Sequence, residues 1–153
     1  LSLQDVAHIF SLRKNLEGLA VVYACRHIEA EELSSLWRLV ARGRILFSEN
    51  REGLLERYVE LTREFNAKLI DSCGVPRLIQ LIWHHRELLE RFHIVDKVLN
   101  RCGESLMDHR QKLLEDLEER NALEARRGWE EHLDISMRAY FDCVGWPENL
   151  DYV

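Results

Sequence analysis

The chain has 153 residues, which suits a single domain over residues 1–153, and its 46% apolar and 31% charged residues are typical of a globular protein. Its formal net charge of −6 argues against direct binding of nucleic acid, because such binding relies on lysine and arginine to neutralise phosphates. No apolar run approaches the roughly 18 residues of a membrane span, and no secretion signal is recognisable. The four cysteines form no C-x-x-C pair, so we expect buried, reduced thiols in a cytoplasmic protein.

Apolar residues recur at helical spacing along the whole chain, and no stretch alternates long enough to predict a strand. The predicted helices span about residues 3–27, 30–47, 50–73, 76–101, 105–120 and 121–144. Ser2 is expected to cap the first helix, Asn50 the third and Asn121 the sixth, whereas Cys102-Gly103 should end the fourth and Ser105 should begin the fifth. Because the connections are short, we predict an all-α, antiparallel bundle of about six to seven helices.

Polar side chains interrupt the apolar faces of three predicted helices. Thr62 and Asn66 lie four residues apart on or beside the stripe of the third helix. His109 lies between Leu106 and Leu113 in the fifth helix, and His132 lies beside the stripe of the sixth. Each could be a core polar group with its own hydrogen-bond partner. Together they could instead line a polar cavity that holds a metal ion or a small anion, since bundles build such sites from facing helices.

Two arginines are further candidates for the same cavity. Arg13 follows an apolar run in the first helix and precedes Glu17 by four residues, so it could form an exposed ion pair of small energy. It could also point inward and bind a carboxylate with two hydrogen bonds, and Arg86 in the fourth helix is a weaker candidate of this kind. No enzyme site is recognisable: neither His109 nor His132 follows a glutamate by three residues, as a di-iron bundle requires, and known catalytic motifs are missing.

The order and spacing of several segments resemble the C-terminal, effector-sensing domain of GntR-type bacterial transcription regulators, in the FadR-like branch known as the FCD domain. The segments are LRKNLEGLA at 12–20, AEELSSL at 30–36, EFNAKLI and CGVPRL within 64–78, DHR with LL within 108–114, and EHL at 131–133. The resemblance covers nearly the whole chain. It implies an antiparallel helical bundle, a homodimer, and a winged helix-turn-helix preceding this chain that contacts operator DNA.

The resemblance also implies a set of ligands. Many members hold a divalent metal such as zinc or nickel with one aspartate and three histidines, and the last two histidines correspond to His109 and His132. Thr62 and Asn66 stand where the family has the aspartate and the first histidine, so only weak metal binding through Asn66, His109 and His132 is expected. The interval between His109 and His132 is one residue longer than the family pattern predicts.

Family effectors are mostly small organic acids, and Arg13 corresponds to an arginine of the first helix that faces the cavity. The resemblance therefore implies that an organic acid binds Arg13, Thr62, Asn66, His109 and His132 and thereby modulates DNA binding. Arg86 is added to this predicted site because of its place in the fourth helix. The second hypothesis is a helical dimerisation module whose cavity has lost its ligand, and a third is a metal-dependent enzyme.

Overall fold

The computed structural model describes residues 1–49 and 52–148, which contain no strand. Within these ranges the helices are α1 Leu3–His27, α2 Ala30–Glu49, α3 Leu54–Asp71, α4 Pro76–Glu90, α5 Ile94–Glu118 and α6 Ala122–Val144. The predicted all-α bundle is therefore confirmed. No described helix is long and apolar enough to cross a membrane.

Helix α6 packs extensively against both α1 and α5. Its contacts with α1 run in opposite directions along the two helices: Lys14 pairs with Asp134 at 2.9 Å, and Glu17, further along α1, accepts a hydrogen bond from Trp129, which lies earlier in α6. The two helices are therefore antiparallel, as predicted. The apolar stripes predicted for the helices that are now α5 and α6 are buried, and each residue is 2% exposed or less: Leu106, Leu113, Leu114, Leu117, Trp129, Leu133, Met137 and Tyr140. The stripe predicted for the first helix is only partly buried, because Leu19 is 39% exposed.

Several predicted helix ends are confirmed. Ser2 and Asp5 form a reciprocal capping box at the start of α1, and the Asn121 side chain accepts a hydrogen bond from the backbone N–H of Glu124. Pro76 occupies the first turn of α4, where its missing N–H has no helical partner to lose. Asn50, predicted to cap the third helix, lies outside the described residues. Two of the cysteines are buried as expected, but Cys143 is exposed.

The predicted boundary between the fourth and fifth helices is wrong. The helix ends at Glu90, and His93, with a φ of 48°, turns the chain into α5. Gly103 and Ser105 lie inside α5 and do not separate two helices. Gly103 is needed for close packing: a Cβ there would lie 3.0 Å from the Phe47 ring of α2 and 2.7 Å from Leu99. The glycine that suggests a helix end therefore marks a close contact between two helices.

Candidate functional site: a polar cavity among five helices

A cavity of about 180 Å³ lies between α1, α3, α4, α5 and α6. Its lining combines apolar and aromatic residues with a polar group formed by Arg13, Thr62, Asn66, Arg86, Arg110 and His132. At the rim, the exposed side chains of Arg63 and Glu90 form an ion pair of 3.7 Å that links α3 to α4. Solvent therefore screens the charges at the rim, whereas the charged groups of the interior are strongly desolvated.

Glu17 anchors one side of this interior from behind the cavity wall. It is 1% exposed, and it accepts hydrogen bonds from Arg13 Nε at 2.8 Å, Arg86 Nη2 at 2.7 Å and Trp129 Nε1 at 3.0 Å. One carboxylate on α1 thus joins residues of α1, α4 and α6. The ion pair of Arg13 and Glu17 has the spacing considered from the sequence, but it is buried rather than exposed.

The electrostatics of this cluster leave Glu17 and Arg86 charged. Burial alone would raise the pKa of Glu17, but the positive charges of Arg13 and Arg86 and the hydrogen bonds hold that pKa below its usual value. Burial lowers the pKa of Arg86 to about 10, against the opposing effect of Glu17. Both groups are therefore ionised at neutral pH.

Arg110, on α5, also lines the cavity and has different partners. It is 1% exposed, and it donates from Nη1 to the Tyr58 hydroxyl at 3.0 Å and from Nη2 to Thr62 Oγ1 at 3.3 Å. Its guanidinium carbon lies 5.5 Å from the centre of the Phe65 ring and 5.6 Å from that of Tyr58, within the range of cation–π attraction. No carboxylate in the described part of the chain pairs with it.

His132 lies on α6, 5% exposed, and stacks on Trp129 with ring centres 4.5 Å apart and planes 10° apart. Burial and then the positive charge of Arg110 lower the pKa of His132 well below its usual range. The ring is therefore neutral at pH 7 and offers one donor and one acceptor nitrogen. Asn66, 8% exposed on α3, adds an amide to the same cavity.

The buried polar atoms without a partner are concentrated in this cavity. Across residues 1–49 and 52–148, the buried side-chain nitrogen and oxygen atoms that lack a hydrogen bond are Asn66 Oδ1, Arg86 Nε, Arg110 Nε and His132 Nδ1. All four residues line the cavity. Since leaving such an atom unpaired costs about 1–3 kcal/mol, a ligand or ordered water that supplies the missing partners would recover that energy.

The structure brings five of the six predicted site residues to the cavity wall: Arg13, Thr62, Asn66, Arg86 and His132. His109 is half-buried and does not line the cavity, although its ring centre lies 6.4 Å from that of His132. Sequence reasoning missed Arg110 and the buried role of Glu17. A signal for Arg110 was available, because it lies four residues after Leu106 and three before Leu113 and therefore occupies the apolar stripe itself.

These residues are a poor fit to a zinc or nickel ion. No group of three or more histidine, cysteine, aspartate or glutamate side chains in the described residues is arranged to hold a metal. Two imidazoles on one tetrahedral zinc have ring centres roughly 5 Å apart, closer than those of His109 and His132. Thr62 offers a neutral hydroxyl, and it already accepts a hydrogen bond from the cationic Arg110. The positive charge of Arg110 would repel a divalent ion placed beside Thr62.

Comparison with known proteins agrees with this architecture. The family profile described as the FCD domain matches residues 8–135, which include Arg13, Thr62, Asn66, Arg86, Arg110 and His132. The chain belongs to the FCD family. Comparisons with curated proteins and with solved structures gave no match. FCD domains are the C-terminal domains of GntR-family regulators, and the family is regulatory rather than catalytic.

Proposed function

We propose that this FCD domain senses a small organic acid that binds in the cavity between α1, α3, α4, α5 and α6. The observation that carries the proposal is the set of four unpartnered buried atoms in the described residues, all of which belong to the cavity wall. Guanidinium N–H groups, an imidazole and an amide are the groups that recognise carboxylate and hydroxyl oxygens. The cavity has the chemistry of an acid-binding site.

The size of the cavity limits the ligand. At about 180 Å³ it is smaller than the roughly 300–1,000 Å³ of pockets for drug-sized molecules. A cavity of about 150 Å³ holds a molecule of the size of benzene. An acid of a few carbon atoms fits this volume, whereas a long acyl chain does not.

We further propose how binding of the acid would alter the affinity for operator DNA. The domain would act as a homodimer in the cytoplasm, joined to an N-terminal winged helix-turn-helix that contacts operator DNA. An acid that binds one dimer geometry more tightly than another shifts the population between them. The spacing of the two DNA-reading helices would change, and with it their fit to paired half-sites. The arrangement of α1, α4 and α6 around Glu17 supports this proposal, because a ligand at Arg13 and Arg86 would act on three helices at once.

The second candidate is a helical dimerisation module without a ligand. Such a module gains nothing from buried polar atoms that lack partners, and apolar side chains would fill the same space at lower cost. The pattern in the described residues therefore favours the sensor.

A thermal-shift screen tests the sensor directly. The chelator-treated domain is heated with acetate, lactate, malonate or succinate at matched ionic strength, with and without zinc or nickel. A ligand at about 100 times its Kd adds about 2.7 kcal/mol of stability, which should raise the Tm by about 5–10 °C. His132→Ala should abolish the shift, while His84→Ala, which alters an exposed histidine of α4, should preserve it. The absence of any shift across a wider panel of small acids would favour the module instead.

A further inference from the structure

The buried Arg110 differs from the other cavity arginines in having no negative partner in the described part of the chain. Arg13 and Arg86 share the carboxylate of Glu17 at 2.8 and 2.7 Å. Among residues 1–49 and 52–148, the partners of Arg110 are a phenol, a threonine hydroxyl, a thioether at 3.4 Å and two aromatic faces. Desolvating a cation without a counter-ion is costly, because neutral dipoles replace only part of the hydration that is lost. The domain keeps this cation beside a cavity.

The charge of the cavity interior is consequently unbalanced. The buried groups in and behind its polar wall comprise three guanidinium groups, those of Arg13, Arg86 and Arg110, and one carboxylate, that of Glu17. His132 is neutral, so these groups leave an excess of two positive charges. Glu90 and Asp96 also line the cavity, but they are partly or largely exposed at its rim and are screened by solvent. The interior therefore attracts an anion.

The unpartnered donors show how that anion would be held. Arg110 uses Nη1 and Nη2 on Tyr58 and Thr62, and this leaves its buried Nε–H without an acceptor. The Nε–H of Arg86 is also unpartnered. The contacts with Tyr58 and Thr62, together with the two aromatic rings, fix the plane of the guanidinium before any ligand arrives. A pre-positioned guanidinium loses little conformational entropy when it binds a carboxylate.

We propose that Arg110 is a built-in cation that binds the carboxylate of the effector directly, so that recognition of the acid requires no metal ion. The inference rests on the proposed sensing function and adds to it the anchoring residue and independence from metal. Losing a charge-assisted hydrogen bond of this kind weakens binding by about 10- to 100-fold.

The test compares the chelator-treated wild-type domain with Arg110→Gln and with Arg126→Gln, which removes a half-buried arginine of α6 that does not line the cavity. Calorimetric titration measures the Kd of each for the most stabilising of acetate, lactate, malonate and succinate, with and without zinc. We expect the wild type and Arg126→Gln to bind equally well with and without zinc, and Arg110→Gln to bind about 10- to 100-fold more weakly.

A structural role for Arg110 makes a different prediction for the ligand-free domain. Arg110→Met removes the guanidinium that has no negative partner and retains much of the aliphatic volume, so its Tm without acid should equal or exceed that of the wild type. A large fall in this Tm would show that the guanidinium serves to hold Tyr58 and Thr62, and it would overturn the proposal.

The remaining outcomes separate the inference from the proposed function. If an acid binds the wild type and Arg110→Gln with equal affinity, or binds the wild type only when zinc is present, the domain is a sensor but Arg110 is not its cation. If no small acid binds in any condition, the proposed function fails and the inference fails with it.

Discussion

Replacing Glu17 with glutamine is the most direct test of the buried ion cluster. Glutamine has nearly the same shape, but it removes the negative charge that lies against Arg13 and Arg86. Its NH₂ group can only donate hydrogen bonds, whereas the arginine N–H groups around it need an acceptor. Since Glu17 is 1% exposed and the two arginines are 11% and 12% exposed, solvent screens these charges weakly. Breaking a buried ion pair by removing one partner costs about 3–5 kcal/mol, so Glu17→Gln should destabilise the domain by that amount.

The chain contains a matched control in Glu130. Arg126 Nε and Glu130 Oε1 are 2.8 Å apart with a spacing of four residues, the same atoms, distance and spacing as in the pair of Arg13 and Glu17. Their side chains, however, are 37% and 30% exposed. Partly exposed helical pairs of this kind contribute about 0.3–0.5 kcal/mol, so Glu130→Gln should have a small effect. The comparison isolates the effect of burial.

Urea unfolding at pH 7, followed by far-ultraviolet circular dichroism, measures both variants, because urea does not screen charge as guanidinium salts do. In thermal unfolding, the expected loss for Glu17→Gln corresponds to a Tm lower by about 6–20 °C for a domain of this size. If Glu17→Gln loses no more stability than Glu130→Gln, the buried cluster does not stabilise the fold and the reasoning from burial is refuted.

Two further predictions follow from the same structure. Because the pKa of Glu17 is held below its usual value, its contribution to stability is present above about pH 4.3 and is lost as the pH falls through its lowered folded-state pKa. The difference in unfolding free energy between the wild type and Glu17→Gln should therefore shrink in urea titrations below about pH 4, and a constant difference would contradict this assignment. Gly103→Ala, whose Cβ meets Leu99 and the Phe47 ring, should lose about 1–3 kcal/mol in the same assay. Gly128→Ala, whose Cβ meets nothing within 4 Å, should gain about 0.5–1 kcal/mol, and equal effects of the two alanines would contradict the packing around Gly103.

The sequence predicted those parts of the fold that depend on local interactions. The cap at Ser2 and the cap at Asn121 involve groups three residues away, and the buried stripes follow from helical periodicity. The break between α4 and α5 was mispredicted because no proline or glycine marks it: His93 adopts the left-handed conformation that usually favours glycine. In the sequence, a glycine at position 103 is compatible with a helix end and with a close contact to a neighbouring helix. The position of the Phe47 ring in the structure distinguishes these two roles.

The candidate site was predictable where a polar residue interrupts a stripe, as Thr62 and Asn66 do. Arg110 interrupts its stripe in the same way, but the adjacent His109 fits the ligand pattern that the resemblance implies, and that pattern favours His109. The burial of Glu17 was not predictable, because it depends on Arg86 and Trp129, which are 69 and 112 residues away in the chain. Periodicity identifies the face on which a residue lies, whereas its partners are determined by the packing of the helices.

The different partners of the cavity arginines explain how one site can be stable without a ligand and still respond to an acid. Glu17 gives both Arg13 and Arg86 a negative partner and offsets one of their two positive charges. This cluster therefore joins three helices whether or not a ligand is bound. Arg110 has no such compensation in the described residues, and a bound carboxylate would supply it. If the domain carried a second internal carboxylate beside Arg110, it would be more stable, but an acid would then have to displace that group. The unbalanced charge is therefore the feature that couples the stability of the bundle to the presence of an acid.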